Sequence, residues 1–281
     1  MNWRVIFVTL IGIWCSIPSE ARVLVITTAH NRPNFVELQQ RTLQHFMLDN
    51  YEYVVFNDAR IQADHDALNQ KCKQLDIRCL PVPQELHDVA SENRENLTSF
   101  RVSLRNCTAI QHALETIGFD HDDIVMLLDS DMFPIKPFNA HSYLQSFHLA
   151  GYKYPLHRDH GSIDGHIWIG LVLIDMPHLP NRRTLNFYCG LFDGEIVDSG
   201  GHTAYYLRDN DVRVRWFKKE LLHLVPSSPC ELYMDGTFLH YAGGTNYFGA
   251  SQIRVDQKTA AVKKKVAEAI ENYSTLTKVI S

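Results

Sequence analysis

The amino-acid sequence predicts an α/β fold in which helices flank a mostly buried sheet. Short apolar runs rich in β-branched residues recur through the first half of the chain, and each ends abruptly at polar residues, as buried strands do. Segments with the spacing of amphipathic helices separate several of these runs. The chain has 281 residues, of which 45% are hydrophobic and 21% charged, and it can therefore bury one large core.

Four strands and two helices are predicted in the first half of the chain. The strands cover 22–28, 51–56, 77–82 and 124–128, and the helices cover 35–47 and 101–116. Helices between strands are typical of parallel sheets, whose ligands bind at the carboxyl ends of the strands. No glycine-rich phosphate-binding motif of the dinucleotide-binding or P-loop type is found after a strand.

The second half of the chain is less regular. Strands are predicted over 168–175 and 212–217, with helices over 202–207 and 258–270. His240 falls in a short apolar strand with glycines on both sides. No stretch has the composition of a linker, so we expect 22–135 and 136–281 to be two halves of a single domain.

The residues that follow the fourth strand carry the main functional signal. Asp129 and Asp131 are one residue apart at the end of an apolar run. Two ionised carboxylates held this close repel each other unless a cation lies between them. Carboxylate oxygens suit Mg²⁺ or Mn²⁺, which phosphate oxygens often complete. The motif predicts a metal-bridged diphosphate, and the alternative is a solvated turn at the end of a strand.

Residues 1–21 have the layout of a secretory signal peptide. Arg4 precedes an apolar run over 5–15, and small residues then offer a cleavage site. This predicts a mature chain that begins at Arg22, in the ER or Golgi lumen or exported, with no stable membrane span. An uncleaved segment anchoring the chain in the membrane, or a buried first strand, remains an alternative.

Charge and cysteine content exclude other classes of protein. The formal net charge is −5 and no basic stripe is present, so we do not expect a nucleic-acid partner. The mature chain would keep five cysteines: Cys72, Cys79, Cys107, Cys189 and Cys230. None are spaced as C-x-x-C, which argues against zinc ribbons and redox motifs.

In their order along the chain, these features resemble the GT-A class of nucleotide-sugar-dependent glycosyltransferases. Asp58 follows the second strand, the D-x-D motif at Asp129 follows the fourth, and His240 comes late. The segment 240–247 is similar to the H-F/Y-x-G-x-x-K-P-W ending of one group of retaining members. It matches at the histidine, the aromatic residue and one glycine, but the Lys-Pro-Trp is absent.

The resemblance implies a GT-A-like Rossmann-type mixed sheet, with a nucleotide-binding half over 22–135 and an acceptor half over 136–281. It also implies a metal site at Asp129, Asp131 and His240 holding Mn²⁺ or Mg²⁺. The donor would be a nucleotide-sugar, with a UDP-sugar expected first, and the acceptor a glycan or protein. Candidate donor contacts are Thr28, Arg32, Asp58, Arg101, Arg105 and Asp129.

Each donor candidate also has a structural explanation. Thr28 and Arg32 can be ordinary polar loop residues, and Asp58 can be a helix N-cap. Arg101 and Arg105 lie one helical turn apart, where they can face the diphosphate or solvent. His240 can be a core histidine instead of a metal ligand.

Asp198 and Asp235 are the candidates for chemistry on the acceptor. An inverting enzyme needs a carboxylate base that takes a proton from the acceptor hydroxyl, whereas a retaining enzyme of this class can lack one. Asp198 precedes Ser199 and two glycines, and Asp235 precedes Gly236. Both positions are also typical turn formers.

A histidine-rich loop gives the sequence a competing interpretation. His157, Asp159, His160, Asp164 and His166 lie close together and could form a transition-metal site of a metallohydrolase. No pair has the H-E-x-x-H spacing, so exposed loop residues are the simpler explanation. A third alternative is a secreted glycan- or nucleotide-binding protein that keeps the GT-A fold without turnover.

Overall fold

Thirteen strands and seven α-helices are found in the computed structural model, which describes residues 22–92, 101–160, 163–226, 228–244 and 249–280. The strands are β1 Val23–Ala29, β2 Tyr51–Asn57, β3 Arg78–Pro81, β4 Ile124–Leu128, β5 Met132–Pro134, β6 Leu149–His160, β7 Ile163–Asp175, β8 Gly190–Phe192, β9 Glu195–Val197, β10 Val214–Phe217, β11 Lys219–Leu222, β12 Cys230–Tyr233 and β13 Phe238–His240. The helices are α1 Pro33–Phe46, α2 Gln62–Gln74, α3 Glu85–Glu92, α4 Arg101–Ala113, α5 Ala140–Leu144, α6 Thr203–Asp209 and α7 Gln252–Ile280.

The central sheet has seven strands in the order β10-β6-β7-β4-β1-β2-β3. The strands β4, β1, β2 and β3 are mutually parallel, while β7 runs antiparallel to both β4 and β6. This confirms the predicted mixed α/β class. Both faces of β1 and β4 are buried, which explains why their sequences are apolar without alternation.

A second sheet of four strands positions the late histidine. Its order is β11-β12-β13-β5, and all of its pairs are antiparallel. In this register His240 of β13 lies opposite Glu231 of β12 on one side and Met132 of β5 on the other. Because β5 begins directly after the Asp129–Asp131 turn, the pairing brings residues distant in sequence to one place.

Three clusters of buried apolar side chains hold these layers together. Two of them contain the alternating side chains of β1 and β4 and therefore cover opposite faces of the central sheet. The third joins α1 and α7 to the small sheet, with Phe35, Phe133, Leu239 and Val266 among its buried members. The small sheet is thereby fixed against the helices as well as by its own hydrogen bonds.

Three helices, α2, α3 and α5, lie where no helix was predicted. α2 was missed because it buries only Leu68 and Cys72, too few to give a helical apolar pattern. α3 lies between the predicted strand over 77–82 and the predicted helix over 101–116, in a stretch to which no element was assigned. β7 begins earlier than predicted, and its antiparallel direction takes Asp175 beside Ile124, away from the carboxyl ends of the parallel strands.

The signal peptide predicted over 1–21 lies outside the described residues. In the part of the chain that is described, no helix is both long and apolar enough to cross a membrane. The five cysteines Cys72, Cys79, Cys107, Cys189 and Cys230 are all free thiols. Cys79 Sγ donates to Asn69 Oδ1 at 3.3 Å.

A histidine between two carboxylates ties three surface segments together. His141 Nδ1 lies 2.6 Å from Asp49 Oδ1, and its Nε2 lies 2.9 Å from Asp123 Oδ1. Asp49 also accepts a 2.6 Å hydrogen bond from the Ala140 backbone. Burial alone would lower the pKa of His141, but the hydrogen bonds and charges of Asp49 and Asp123 raise it.

We expect His141→Gln to destabilise the protein more at about pH 5.5 than at about pH 9. Folding raises the pKa of His141, so protonated His141 stabilises the folded state fully below its unfolded-state pKa of about 6.5. This contribution to the free energy of unfolding is lost as the pH rises through the pKa of the folded state. Since the ring is 45% exposed, the difference should stay below about 1 kcal/mol. Urea unfolding at both pH values measures it. His178→Gln, which removes a more exposed histidine, is the control, and a loss that grows with pH would contradict the interpretation.

Candidate functional site

A cavity of about 470 Å³ lies at the carboxyl ends of β1, β2 and β4. It brings together most of the residues selected from the sequence. The predicted residues that line it are Thr28, Asp58, Arg105, Asp129, Asp131, Asp198 and His240. Other residues in its wall are His30, Arg60, Asn106, Trp168 and Ser199.

Asp129, Asp131 and His240 form the centre of the cavity. Each offers one oxygen or nitrogen atom, and these atoms all lie within 4.8 Å of one another. The His240 Nε2 atom is 3.0 Å from Asp131 Oδ1 and 3.9 Å from Asp129 Oδ2. Among the described residues this is the one group of His, Cys, Asp and Glu side chains with the geometry to hold a metal ion.

Backbone contacts hold the two aspartates in place. The Asp129 N–H donates to Gly170 O, which ties the end of β4 to β7, and the Met132 N–H donates to Asp129 O to close the turn. The buried Gln39 amide donates to both Asp129 O and Met132 O. On the far side, the Gly244 N–H donates a 2.8 Å hydrogen bond to Asp131 Oδ2. The carboxylates are therefore fixed before any ligand binds.

The other ring nitrogen of His240 faces Glu231, a residue that the sequence analysis did not select. His240 Nδ1 lies 2.9 Å from Glu231 Oε2. Tyr233 Oη donates to the same oxygen, and Lys219 Nζ lies 2.9 Å from Glu231 Oε1. The Asp235–Gly236 turn signal could have found Glu231, because pairing outward from that turn sets Glu231 opposite His240.

The charges at this centre are strongly coupled. Burial and the neighbouring Asp131 raise the pKa of Asp129 to about 7. Burial alone would raise the pKa of Asp131, but His240 and the Gly244 N–H lower it. Burial would likewise lower the pKa of His240, yet Asp131 and Glu231 raise it to about 10. One positive charge is needed between the carboxylates, and a proton on His240 supplies it.

The donor set fits a divalent cation. Two carboxylate oxygens and an imidazole nitrogen converge within a few ångströms, and this mixture suits Mn²⁺ well and Mg²⁺ through its oxygens. A cation there would replace the proton on His240 Nε2, while Glu231 keeps its hydrogen bond to Nδ1. The unused side of the site opens into the cavity, where further ligands can reach the ion.

Asp58 anchors the β2 side of the cavity. Its Oδ1 atom accepts from Arg105 at 2.8 Å and lies 2.7 Å from His87 Nε2. Its backbone oxygen accepts from Arg105 and contacts His30 Nδ1. Asp58 is not a helix N-cap, since α2 begins only at Gln62. Its carboxylate holds Arg105 at the cavity wall.

Three other predicted donor contacts differ in position. Thr28 lines the cavity, and its hydroxyl donates to Asn106 Oδ1 at 3.1 Å. Arg32 lies outside the cavity wall, because its guanidinium donates to Gly244 O and Thr259 Oγ1. The Arg101 side chain lies outside the described part of the chain.

The two candidate acceptor-side aspartates are far from equivalent. Asp198 lines the cavity, where its Oδ1 atom accepts from the Ser199 N–H at 2.7 Å. Gly200 supports this turn at φ +82°, and a Cβ there would lie 2.0 Å from Ile167 O. Asp235 is instead exposed in the turn between β12 and β13, where its backbone oxygen accepts from Lys136. The structure does not bring Asp235 to the cavity.

The histidine-rich segment forms the hairpin of β6 and β7. The side chains of Asp159 and His160 lie outside the described residues. Of the other three, His157 is exposed, Asp164 pairs with Lys153, and His166 is buried against Tyr154. Burial lowers the pKa of His166 to about 4. None of these three belongs to a candidate metal group.

Replacing Gly244 should weaken metal binding without unfolding the protein. A Cβ at Gly244 would lie 2.7 Å from Asp131 Cβ and 2.8 Å from its Oδ2, so Gly244→Ala must displace that carboxylate. Overpacking of this kind costs about 1–3 kcal/mol, which corresponds to about a tenfold loss of Mn²⁺ affinity or more. Mn²⁺ titration followed by electron paramagnetic resonance measures it. Gly118→Ala, which meets only the movable end of Leu114, is the control, and unchanged affinity in Gly244→Ala would disprove the role of this contact.

Comparisons with known proteins give fold-level similarity alone. No protein-family model matches the chain, and no curated protein matches it. One similar solved structure is mannosyltransferase PcManGT from Pyrobaculum calidifontis, in complex with GDP-Man and Mn²⁺. The TM-score is 0.41 and the sequence identity 16%, and the match covers 71% of this chain and 55% of the mannosyltransferase. Galactosyltransferase LgtC, in complex with donor and acceptor sugar analogs, has a TM-score of 0.34 and 13% sequence identity, and the match covers 55% of this chain and 58% of LgtC. Core-mannan synthase A from Aspergillus fumigatus, in its Mn/GDP form, has a TM-score of 0.37 and 9% sequence identity, and the match covers 56% of this chain and 60% of the synthase.

The chain spans a little over half the length of each of these structures. All three are glycosyltransferases. A likeness at this level carries no argument about donor, acceptor or metal. Those must be argued from the residues of the cavity itself.

Proposed function

We propose that this protein is a metal-dependent glycosyltransferase that moves a sugar from a nucleotide-sugar donor to an acceptor hydroxyl. The observation that carries the proposal is the convergence of Asp129, Asp131 and His240 in one wall of the cavity. Buried carboxylates are costly unless a cation compensates them, and an open cavity beside them leaves room for a diphosphate. We expect Mn²⁺ or Mg²⁺, and among donors a UDP-sugar first.

The metal-binding residues would act on the leaving group. A divalent cation bound there supplies positive charge to the diphosphate as the bond to the sugar breaks. Asp131 and His240 are buried and fixed by Gly244 and Glu231, so they hold their geometry throughout the reaction. Asp129 is the more exposed carboxylate and faces the cavity with Ser130.

The opposite wall is suited to the nucleoside. Thr28 offers a hydroxyl, and His30 offers a ring whose Nδ1 is already engaged by Asp58 O. Arg105, held by Asp58, presents a guanidinium group at the same edge. Hydroxyl, imidazole and guanidinium groups can bind ribose hydroxyls and base carbonyls. These residues would orient the donor without taking part in bond breaking.

Asp198 is the group we assign to the acceptor side. It lies on the cavity wall beside Ser199, on the segment that precedes α6 and far in sequence from the metal-binding residues. In an inverting enzyme it would remove the proton from the acceptor hydroxyl. In a retaining enzyme the same carboxylate would orient the acceptor without accepting a proton.

We also propose a location in the secretory pathway, in the ER or Golgi lumen or outside the cell. The support is the layout of residues 1–21. Expression of the full chain in a eukaryotic cell, followed by N-terminal sequencing of the secreted and membrane fractions, tests it. A start at Arg22 is expected, whereas a retained N-terminus in the membrane fraction would favour an anchor.

Calorimetric titration with UDP, GDP and CMP tests the donor site. We expect one nucleotide to bind to the chain from Arg22 onward in the presence of Mn²⁺ and to lose its affinity in EDTA. Asp131→Asn should remove this metal-dependent binding, because it takes away a carboxylate ligand while keeping the size of the side chain. The matched control is Asp211→Asn, which changes an exposed aspartate outside the cavity wall.

Other outcomes of this titration have defined meanings. Nucleotide binding that ignores EDTA, with no turnover of any nucleotide-sugar, would favour the binding protein over the enzyme. Absence of binding by a folded chain would refute the donor site. No feature of the described residues favours the metallohydrolase alternative.

Asp198→Asn should reduce turnover while leaving nucleotide affinity within about twofold. If Asp198 is the base, kcat falls by about 10²–10⁴, because no carboxylate then takes the proton of the acceptor hydroxyl. Release of the nucleotide from the sugar donor, in the presence of acceptor, measures it. Asp235→Asn is the comparison, because Asp235 lies outside the cavity. A loss confined to Asp235→Asn would reverse the assignment.

A further inference from the structure

We propose that Glu231 is a positioning residue that fixes His240 as a metal ligand through a hydrogen bond to the ring nitrogen facing away from the ion. The inference rests on the proposed metal-dependent function and adds a residue to it. Glu231 itself would touch neither the cation nor the substrate. It would set which nitrogen of His240 carries the proton and where the ring points.

The register of the small sheet places the two side chains together. Glu231 and His240 are directly paired residues of the antiparallel strands β12 and β13, so their side chains project on the same face of the sheet. Glu231 Oε2 lies 2.9 Å from His240 Nδ1. Both side chains are mostly enclosed, at 17% and 7% exposure, so water competes little for this bond.

The direction of the ring follows from imidazole chemistry. A neutral imidazole has one N–H and one lone pair, on different nitrogens. A carboxylate can only accept at Nδ1, which leaves the lone pair on Nε2, the atom that lies near both aspartates. If Glu231 were absent, the proton could reside on Nε2 and block coordination. A carboxylate behind a metal-binding histidine also raises its basicity.

Glu231 is itself held on both oxygens. Tyr233 Oη donates to Oε2 at 2.8 Å, and Lys219 Nζ lies 2.9 Å from Oε1. Trp168 stacks on Tyr233 with ring centroids 5.2 Å apart and packs against His240 at 5.3 Å. The carboxylate therefore cannot rotate away, and the imidazole ring is confined by an aromatic wall. A glutamate enclosed in a strand is otherwise unfavourable, and this network gives it a role.

The direct test is the Mn²⁺ affinity of Glu231 variants, followed by electron paramagnetic resonance without nucleotide. Loss of a hydrogen-bond partner behind a metal ligand lowers affinity by about 10- to 100-fold, and we expect that loss for Glu231→Ala. Glu231→Gln can still accept from Nδ1 but lacks the charge, so its affinity should fall between those of wild type and Glu231→Ala. The matched control is Glu220→Gln on β11, an exposed glutamate, with unchanged affinity expected.

A second measurement separates positioning from general structural support. Imidazole ¹⁵N NMR of the chain loaded with Zn²⁺, a diamagnetic ion that accepts imidazole ligands, reports which nitrogen of His240 is protonated. The wild type should show the proton on Nδ1, and Glu231→Ala should shift the population toward the other tautomer. A merely structural role would alter stability without changing this signature, and circular dichroism confirms that each variant is folded.

The failure of this inference differs from failure of the proposed function. If wild type binds Mn²⁺ and Asp131→Asn does not, but Glu231→Ala binds as wild type with an unchanged tautomer, the positioning role is refuted and the metal site stands. If the folded wild type binds no Mn²⁺ and the Asp131→Asn variant behaves identically, the metal-dependent function is refuted and the role of Glu231 falls with it.

Discussion

The site depends on the antiparallel pairing of β13 between β12 and β5. That pairing places His240 beside an aspartate more than a hundred residues earlier in the chain, because β5 begins immediately after Asp131. The Tyr241 N–H extends the ladder by donating to Asp131 O. A shift of one residue in this register would turn His240 to the other face of the sheet. The pairing of the small sheet thus positions His240 beside the end of β4.

The same arrangement holds the carboxylates of Asp129 and Asp131 close together, which is unfavourable in free energy unless a positive charge lies beside them. Asp129 and Asp131 share a poorly solvated corner, so burial and the charge of Asp131 raise the pKa of Asp129. His240 and the Gly244 N–H lower the pKa of Asp131 in spite of its burial. A protonated His240 balances them in the free chain, with Glu231 as a counter-charge behind it. The fold therefore keeps a position for one positive charge beside the two carboxylates. The Gly244 N–H holds the Asp131 carboxylate, and the Gln39 side-chain amide holds the backbone of Asp129. These hydrogen bonds prevent the two aspartates from moving apart to relieve the repulsion.

Local sequence was sufficient for the features that local physics determines. The apolar run at Ile124–Leu128 predicted a buried strand, and its boundaries agree with β4. Asp129 and Asp131 were selected from their spacing at the end of an apolar run, and His240 from the resemblance together with its late position and flanking glycines. The structure brings the three together. Asp198 and Asp235 show where such reasoning ends, because both sit in turns with glycine neighbours and only tertiary packing takes one to the cavity. Glu231 was missed because its importance lies in cross-strand register, and β12 has no strong pattern of its own.

The chain lacks the Lys-Pro-Trp of the motif that 240–247 resembles, and the structure shows which cations lie near the turn after His240. Two cations hold the backbone of the turn after His240: Arg32 donates to Gly244 O, and Lys258 donates to Ala242 O. Lys258 also donates to Pro229 O. Lys258 lies over the ring of Tyr241, 4.6 Å from its centroid, and its side chain is buried. These cations stabilise the turn that presents the Gly244 N–H to Asp131 and do not face the cavity. In the described part of the cavity wall the guanidinium groups come instead from Arg60 and Arg105, on the β2 side. Under the proposed function, the cations that shape the candidate metal site would thus be different residues from those that meet the charge of a bound nucleotide.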